Sequence, residues 1–299
     1  MTLALFTYFA YAFVIAGYSV KIVKYLSLPT HLRWELYPVI HEEGRAYGGS
    51  RFERADWWEE GPRRHPVRGF FFLLKEYFHL GEYFHRHRCY WCFLYPWHVG
   101  FVLIITFHIL CFVSAVAMAW GLEVAPAAGA SGIILYWAVY VTGVVSFISG
   151  VFGSLGLIVE RRRDNGLAVY ATPLNYVSYV FTLAVFASGL AAWLFVDPSF
   201  SEYREFWKGL VTLRFVSVEA GSAIHIVLFN LFLIYLPFTR SLHYVTRFFA
   251  FFLIRWDDEP NVRGSELEKR LQELMTQKVT WSAPHIKAGK SWVEQVGDR

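Results

Sequence analysis

Charge is scarce in this chain. Asp, Glu, Lys and Arg make up 17% of its 299 residues, where a soluble domain carries about 25%. The deficit is gathered into a few long apolar runs, which excludes an ordinary soluble globular domain. Cysteine is scarcer still. Cys89, Cys92 and Cys111 are the whole complement, so a disulfide framework is excluded. No basic stretch precedes the apolar run that begins at Leu3, whereas Lys21 and Lys24 follow it. That run reads as a retained anchor, not a cleaved signal. The apolar runs lack the alternation of barrel strands. Internal repeats and low-complexity tracts are also lacking.

Hydrophobic residues are what the chain has in excess, at 56%, with 19% aromatic. A bilayer core takes about 20 apolar helical residues. Five stretches are of that order: Leu3 to Val20, Trp97 to Trp120, Ile133 to Val159, Leu174 to Val196, and Ala220 to Phe238. The expected fold is therefore an all-α integral membrane bundle of five transmembrane helices. Its direction follows from Lys and Arg, which collect on the cytoplasmic side. The segment between spans one and two, the Arg161–Arg163 link and the C-terminal tail, with Lys21 and Lys24, hold 25 of them against 3 on the other side. This places the N-terminus outside and the C-terminus in the cytoplasm.

The expected organisation is a first span over 1–25, a cytoplasmic segment over 26–96, a four-helix membrane domain over 97–254 and a cytoplasmic tail over 255–299. Gly69 to Trp97 mixes aromatics with Lys75, Arg86 and Arg88, as an interfacial helix does. In the tail, Ser265 and Glu268 form a capping-box pattern ahead of a Leu267, Leu271, Leu274 stripe. Such a short helix docks on a partner or folds back on its own loop.

Four of the eleven histidines lie in the apolar stretches: His98 and His108 in HVGFVLIITFH, His225 and His243 in HIVLFNLFLIYLPFTRSLH. Intramembrane polar residues are costly and mark function. Spans two and five run antiparallel, so His98 and His243 share the cytoplasmic level. His108 lies about 15 Å further along its helix, and His225 about 27 Å from His243. The expected pairs are His98 with His243 and His108 with His225. Pro237 could kink span five and reconcile the unequal rises. Zinc wants about four protein ligands, and each pair offers two nitrogens. Haem needs only two axial ligands, and two histidines would fill both, leaving electron transfer as its task. Gly143, Ser149, Gly150, Gly153, Phe107 and Phe229 could make room for a macrocycle. Arg240 and Arg161–Arg163 lie where cytoplasmic-side propionates would point, although positive charge inside explains them as simply.

From Trp97 to Arg247 the chain resembles the haem b gamma subunit of respiratory nitrate reductase. The likeness rests on WHVGFVLIITFH, on both histidine spacings and on the ending Pro237, Phe238, Thr239, Arg240, Ser241, Leu242, His243. It implies five spans and two bis-histidine haem b groups, with His98 and His243 on the inner and His108 and His225 on the outer. It also implies electron transfer between a quinone pool, with menaquinone the species expected, and a cytoplasmic iron–sulfur partner. The chain departs from that pattern in its longer segment between spans one and two, in Phe107 where the family has glycine, and in lacking a lysine in the link after span two. Its tail VTWSAPHIKAGKSWVEQVGD is also foreign to it. The tail and long segment are more similar to the membrane subunit of the complex associated with sulfite reduction and its heterodisulfide-reductase relatives. That branch implies a cytoplasmic iron–sulfur subunit related to the heterodisulfide reductase catalytic subunit, and further membrane and extracytoplasmic subunits.

Quinol oxidation near the outer face would need a proton acceptor and a hydrogen-bond partner; His108, Glu123, Arg214 and Glu219 are the candidates there. Cys89 and Cys92 form a CxxC that no histidine follows, which does not indicate covalent haem attachment. His79, His85 and His87 read as surface residues of an interfacial helix. The rival class, a non-haem anchor or transporter, usually shows broken helices or a midplane ion site, and the spans display neither pattern.

Overall fold

The computed structural model describes residues 1–27, 66–239, 243 and 262–297. These form helices α1 (Thr2–Leu26), α2 (Pro66–His79), α3 (Gly81–Arg86), α4 (Arg88–Ala119), α5 (Ala130–Arg163), α6 (Asn165–Val169), α7 (Pro173–Phe195), α8 (Ser201–Thr212), α9 (Ala220–Tyr235), α10 (Glu266–Met275) and α11 (Trp292–Gly297). Helix α9 ends at Tyr235, and a 3-10 turn over Leu236–Phe238 that contains Pro237 follows it. Among the described residues there is no strand, only the isolated bridges Lys278–Ser291 and Ala283–Ile286. Helices α1, α4, α5, α7 and α9, the last with its 3-10 turn, are long and apolar enough to cross a membrane. The all-helical class and the five spans agree with the sequence reading.

The chain divides into two units, Met1–Gly17 with Phe78–Thr239, and Tyr18–Tyr77 with Arg240–Arg299. In the first, α4 packs along α5, α5 along α7, and α7 along α9, while α8 packs back on α4. Lipid offers no hydrophobic drive for helix association, so close backbone approach has to supply it. Gly100 and Gly150 permit that approach: a Cβ at Gly100 would lie 2.7 Å from the Gly150 nitrogen. Ser146 Oγ donates across the same seam to the Gly100 carbonyl at 3.0 Å.

Helix α4 starts at Arg88, not at Trp97. The helix expected over Gly69–Trp97 is instead three pieces, broken at Leu80, whose φ is 51°, and at His87. The early start has a packing cause. Tyr90 is buried against Leu157 and Tyr179, and Phe93, Leu94 and Trp97 pack on the same cluster. The apolar face thus runs two turns beyond the expected span, through Pro96. Helix α7 begins on a Thr172–Asn175 capping box with Pro173 in its first turn.

In the second unit, Ser265 Oγ accepts from the Glu268 amide at 3.1 Å as the pattern predicted. The return bond from Glu268 reaches the Gly264 amide, one residue ahead of the position a capping box uses. Leu267, Leu271 and Leu274 are half-buried, and α10 packs on α11. A complete capping box starts α11: Ser291 N donates to Glu294 Oε2 at 2.7 Å, and Glu294 N to Ser291 Oγ at 3.3 Å.

Candidate functional site

Helices α4 and α9 bring His108 and His225 together inside the first unit. Both are buried, at 4% and 3% exposure, and their ring centroids are 6.5 Å apart. The hydrogen-bond network assigns their tautomers. His108 Nδ1 lies 2.7 Å from the Ile104 carbonyl, which can only accept, so Nδ1 carries the proton and Nε2 the lone pair. Ser188 Oγ gives its single hydrogen to the Val185 carbonyl at 2.9 Å, so at 3.1 Å it accepts from His225 Nδ1. His225 Nε2 is then also a lone pair, and it is buried without a hydrogen-bond partner. Each ring is held through Nδ1, as metal-ligating histidines are held by their outer partners, and of the two only His225 leaves its Nε2 without a partner.

Aromatic rings wall the pair. Phe229 stacks on His108 at 3.6 Å with 5° between the planes, and Phe147 meets His225 edge-on at 5.2 Å. Gly189 makes room for Phe147, whose ring a Cβ there would meet at 2.4 Å. Beside the pair lies a cavity of about 10 Å³ lined by residues that include Phe147, Gly189, Asp197, Tyr203, Ser222 and His225.

Helix α8 supplies a third polar group. Tyr203 Oη lies 2.8 Å from His108 Nε2, and since that nitrogen is the acceptor, the phenol donates. Burial raises the Tyr203 phenol well above its ordinary range, so the donor stays protonated. The sequence places Tyr203 through its caps. Asp197 accepts from Ser201 N at 2.8 Å and Tyr203 N at 3.0 Å. Glu202 reaches over to α9, accepting from Glu219 N at 2.6 Å and from Ser222 Oγ. Buried Arg204 donates to the Ser199 carbonyl at 2.9 Å and lies over the Tyr136 ring; burial lowers its pKa. On the α1 side, Tyr8 Oη donates to the Leu210 carbonyl and the Tyr11 ring meets Trp207 edge-on at 5.3 Å.

None of this helix was anticipated. In the sequence, the residues between Asp197 and Glu219 contribute only to the count of three Lys and Arg on the outer side. The signal was present in Tyr203, Phe206, Trp207 and Leu210, spaced i, i+3, i+4, i+7 and all buried. Ser188 and Asn230 were missed as well. Asn230 Nδ2 donates to Thr7 Oγ1 at 2.9 Å, joining α9 to α1.

His98 is half-buried on α4 and His243 is exposed; they belong to different units. Arg240 lies outside the described residues. Glu123, Arg214 and Glu219 are exposed, whereas the hydrogen bonds and ring contacts of His108 come from Ile104, Phe107, Tyr203, Trp207, His225 and Phe229. Glu219 serves as the N-cap residue of α9. Cys89 and Cys92 are exposed on the first turns of α4, and Cys111 is buried. Arg161 donates to Tyr179 Oη at 3.0 Å and to Tyr90 Oη at 3.2 Å, which braces α5 against α7 and α4.

Compared with protein-family profiles, with curated proteins and with solved structures, the chain matches none. The donor set itself discriminates among metal groups. Among the described residues no three His, Cys, Asp or Glu gather as a metal cage. Two imidazoles alone suit a group that brings its own four equatorial nitrogens, as haem does. In donor type, the two imidazoles and the orphaned His225 Nε2 are what such a group would take.

Proposed function

We propose that this chain is the di-haem b membrane subunit of a respiratory redox complex. It passes electrons between the quinone pool and a cytoplasmic iron–sulfur subunit of the sulfite-reduction or heterodisulfide-reductase type. The observation that carries the reading is the buried His108–His225 pair, with 6.5 Å between centroids, both Nδ1 atoms held and the His225 Nε2 bare inside the bundle. His98 and His243 would form the inner pair, with the N-terminus outside and the C-terminus in the cytoplasm of a cell-membrane protein. Bound there, haem supplies reversible one-electron chemistry without an open coordination position.

The chain's own residues prepare the site. Ile104 and Ser188 fix which nitrogen each histidine offers. Phe107, Phe147 and Phe229 exclude water and lower the local dielectric, which sets the potential of such a centre. Quinol oxidation at the outer face releases two electrons and two protons. Glu123, Glu219 and Arg214, all exposed, are the proposed polar contacts for that step.

The test is a reduced-minus-oxidised spectrum with haem quantitation on protein purified from haem-replete cells. Two b-type haems per chain are expected. His108→Ala and His225→Ala should each remove the same single haem. A colourless protein would instead place the chain among non-haem anchors or transporters. Subunits that co-purify decide the branch: a nitrate reductase catalytic subunit would replace the heterodisulfide-type partner proposed here.

A further inference from the structure

Two of the three cysteines are exposed, and both lie near the start of α4. Cys89 and Cys92 are three residues apart on one helix, so their side chains share a face. Between them Tyr90 turns the other way. It is buried against Leu157 and Tyr179, and its hydroxyl accepts from Arg161 at 3.2 Å. Arg161 opens the Arg161–Arg163 run that ends α5, and Arg86 and Arg88 beside the pair are exposed. The two thiols therefore lie at the charged end of the bundle, where a water-borne reagent reaches them. Residues three apart on a regular helix carry Cβ atoms about 5–6 Å apart, whereas a disulfide holds them at about 3.5–4.5 Å. Joining the pair needs a turn that can tighten, and this turn can. It follows a break at His87, whose φ of −144° and ψ of 72° are not helical, and the first amides of a helix have no intrahelical acceptor to lose. Further along, Pro96 lies inside the helix and has no N–H to give to the Cys92 carbonyl four residues back.

We propose that Cys89 and Cys92 are a reversible thiol–disulfide exchange site whose substrate is a low-molecular-weight disulfide in water. One thiolate attacks a sulfur of the substrate disulfide. The substrate S–S bond breaks, a protein–substrate S–S bond forms, and the first thiol leaves with a proton. The second thiolate then attacks the protein sulfur of this mixed disulfide, the Cys89–Cys92 bond forms, and the second thiol leaves. Two electrons pass from the cysteine pair to the substrate, and the two protons of the pair end on the two released thiols. A bridge drawn across a helical turn is strained, and strain makes a disulfide easier to reduce. The pair therefore cycles, whereas a structural disulfide stays closed. Cys111 is buried and takes no part. Cys92 is sixteen residues before His108, about 24 Å along α4 at 1.5 Å per residue. The site shares no residue with the His108–His225 pair and stands or falls apart from the haem reading.

The experiment uses the full-length protein in lipid nanodiscs, incubated with glutathione disulfide and reduced glutathione in varied ratio. Free thiols are trapped by alkylation, and the peptides are weighed by mass spectrometry. In the wild type, Cys89 and Cys92 are expected to lose alkylation together and to give a peptide lighter by two hydrogens. Excess reduced glutathione is expected to return both thiols. Cys111 should be alkylated only after denaturation. Cys89→Ser and Cys92→Ser should each stop at a mixed disulfide, with one glutathione attached and no bridge. Cysteines that stay fully alkylated at every ratio overturn the proposal. So does a wild type that carries glutathione on each cysteine with no bridged peptide. A bridge that excess reduced glutathione fails to open overturns it as well, because that bond would be structural.

Discussion

Removing the cap of α8 separates two accounts of what holds that helix. Asp197 is 6% exposed and accepts the Ser201 and Tyr203 amides at 2.8 and 3.0 Å. The hydroxyls of Ser199 and Ser201 add contacts at 3.4 and 3.2 Å. Asp197 lies three residues ahead of the Phe200 N-cap but accepts first-turn amides as a cap does, so Asp197→Ala is expected to cost about as much as a lost N-cap, about 0.5–2 kcal/mol. It also strands a second buried amide donor, at about 1–3 kcal/mol. Because the two losses overlap, about 2–4 kcal/mol is expected together, a roughly 30- to 700-fold rise in local opening at about 1.4 kcal/mol per decade. Arg204 adds to the effect, since removal of Asp197 leaves that buried cation with the Ser199 carbonyl and the Tyr136 ring. Hydrogen exchange read by mass spectrometry, in lipid nanodiscs, reports the change over Ser201–Thr212. Asp197→Asn keeps an acceptor oxygen and should fall between Ala and the wild type. Exchange in α10 is the internal reference and should not change. Protection in the Ala variant within threefold of the wild type would refute the reasoning. It would mean that Tyr203, Phe206 and Trp207 hold α8 by packing alone.

Two further outcomes are expected elsewhere in the chain. Gly100→Ala drives a methyl to 2.7 Å from the Gly150 nitrogen, and backbone cannot yield as a side chain does. A loss of about 1–3 kcal/mol is expected, read as a lower thermal midpoint in detergent; an unchanged midpoint would show that α4 and α5 have slack. In the tail, hydrogen bonds from Ser291 hold the Glu294 carboxyl below its ordinary range. A depressed folded pKa gives stability that is present above the unfolded value and lost as pH falls through the folded one. The first turn of α11 should therefore loosen on acidification through and below the ordinary glutamate pKa of about 4.3. The Ser291 and Glu294 amide chemical shifts should titrate together there, and Glu294→Gln should flatten that titration.

The five spans were legible because their signal is length and apolarity, which needs no tertiary information. The His108–His225 level was legible because two antiparallel helices at a fixed rise leave few ways to pair four histidines. Helix α8 was not legible by the same means. Twelve residues with a charged face are too short to register as a span, and a span-and-link description turns everything between spans into a charge count. The early start of α4 was hidden for a related reason. Tyr90 reads as interfacial by type, and only Leu157 and Tyr179, from two other helices, make it core.

The free-energy cost of burying these histidines is itself unevenly met. His108 satisfies Nδ1 on its own helix, one turn back at Ile104, and Nε2 on Tyr203. His225 satisfies Nδ1 through Ser188 but leaves Nε2 bare. A bare buried acceptor costs about 1–3 kcal/mol, and more where no water can reach it. A histidine kept only for interhelical hydrogen bonding would gain nothing from that cost, since rotation toward a neighbour would remove it. Ser188 prevents the rotation by holding the other nitrogen. The unmet cost is therefore built in. On the proposed haem reading, the bare Nε2 is the nitrogen His225 would give to the iron.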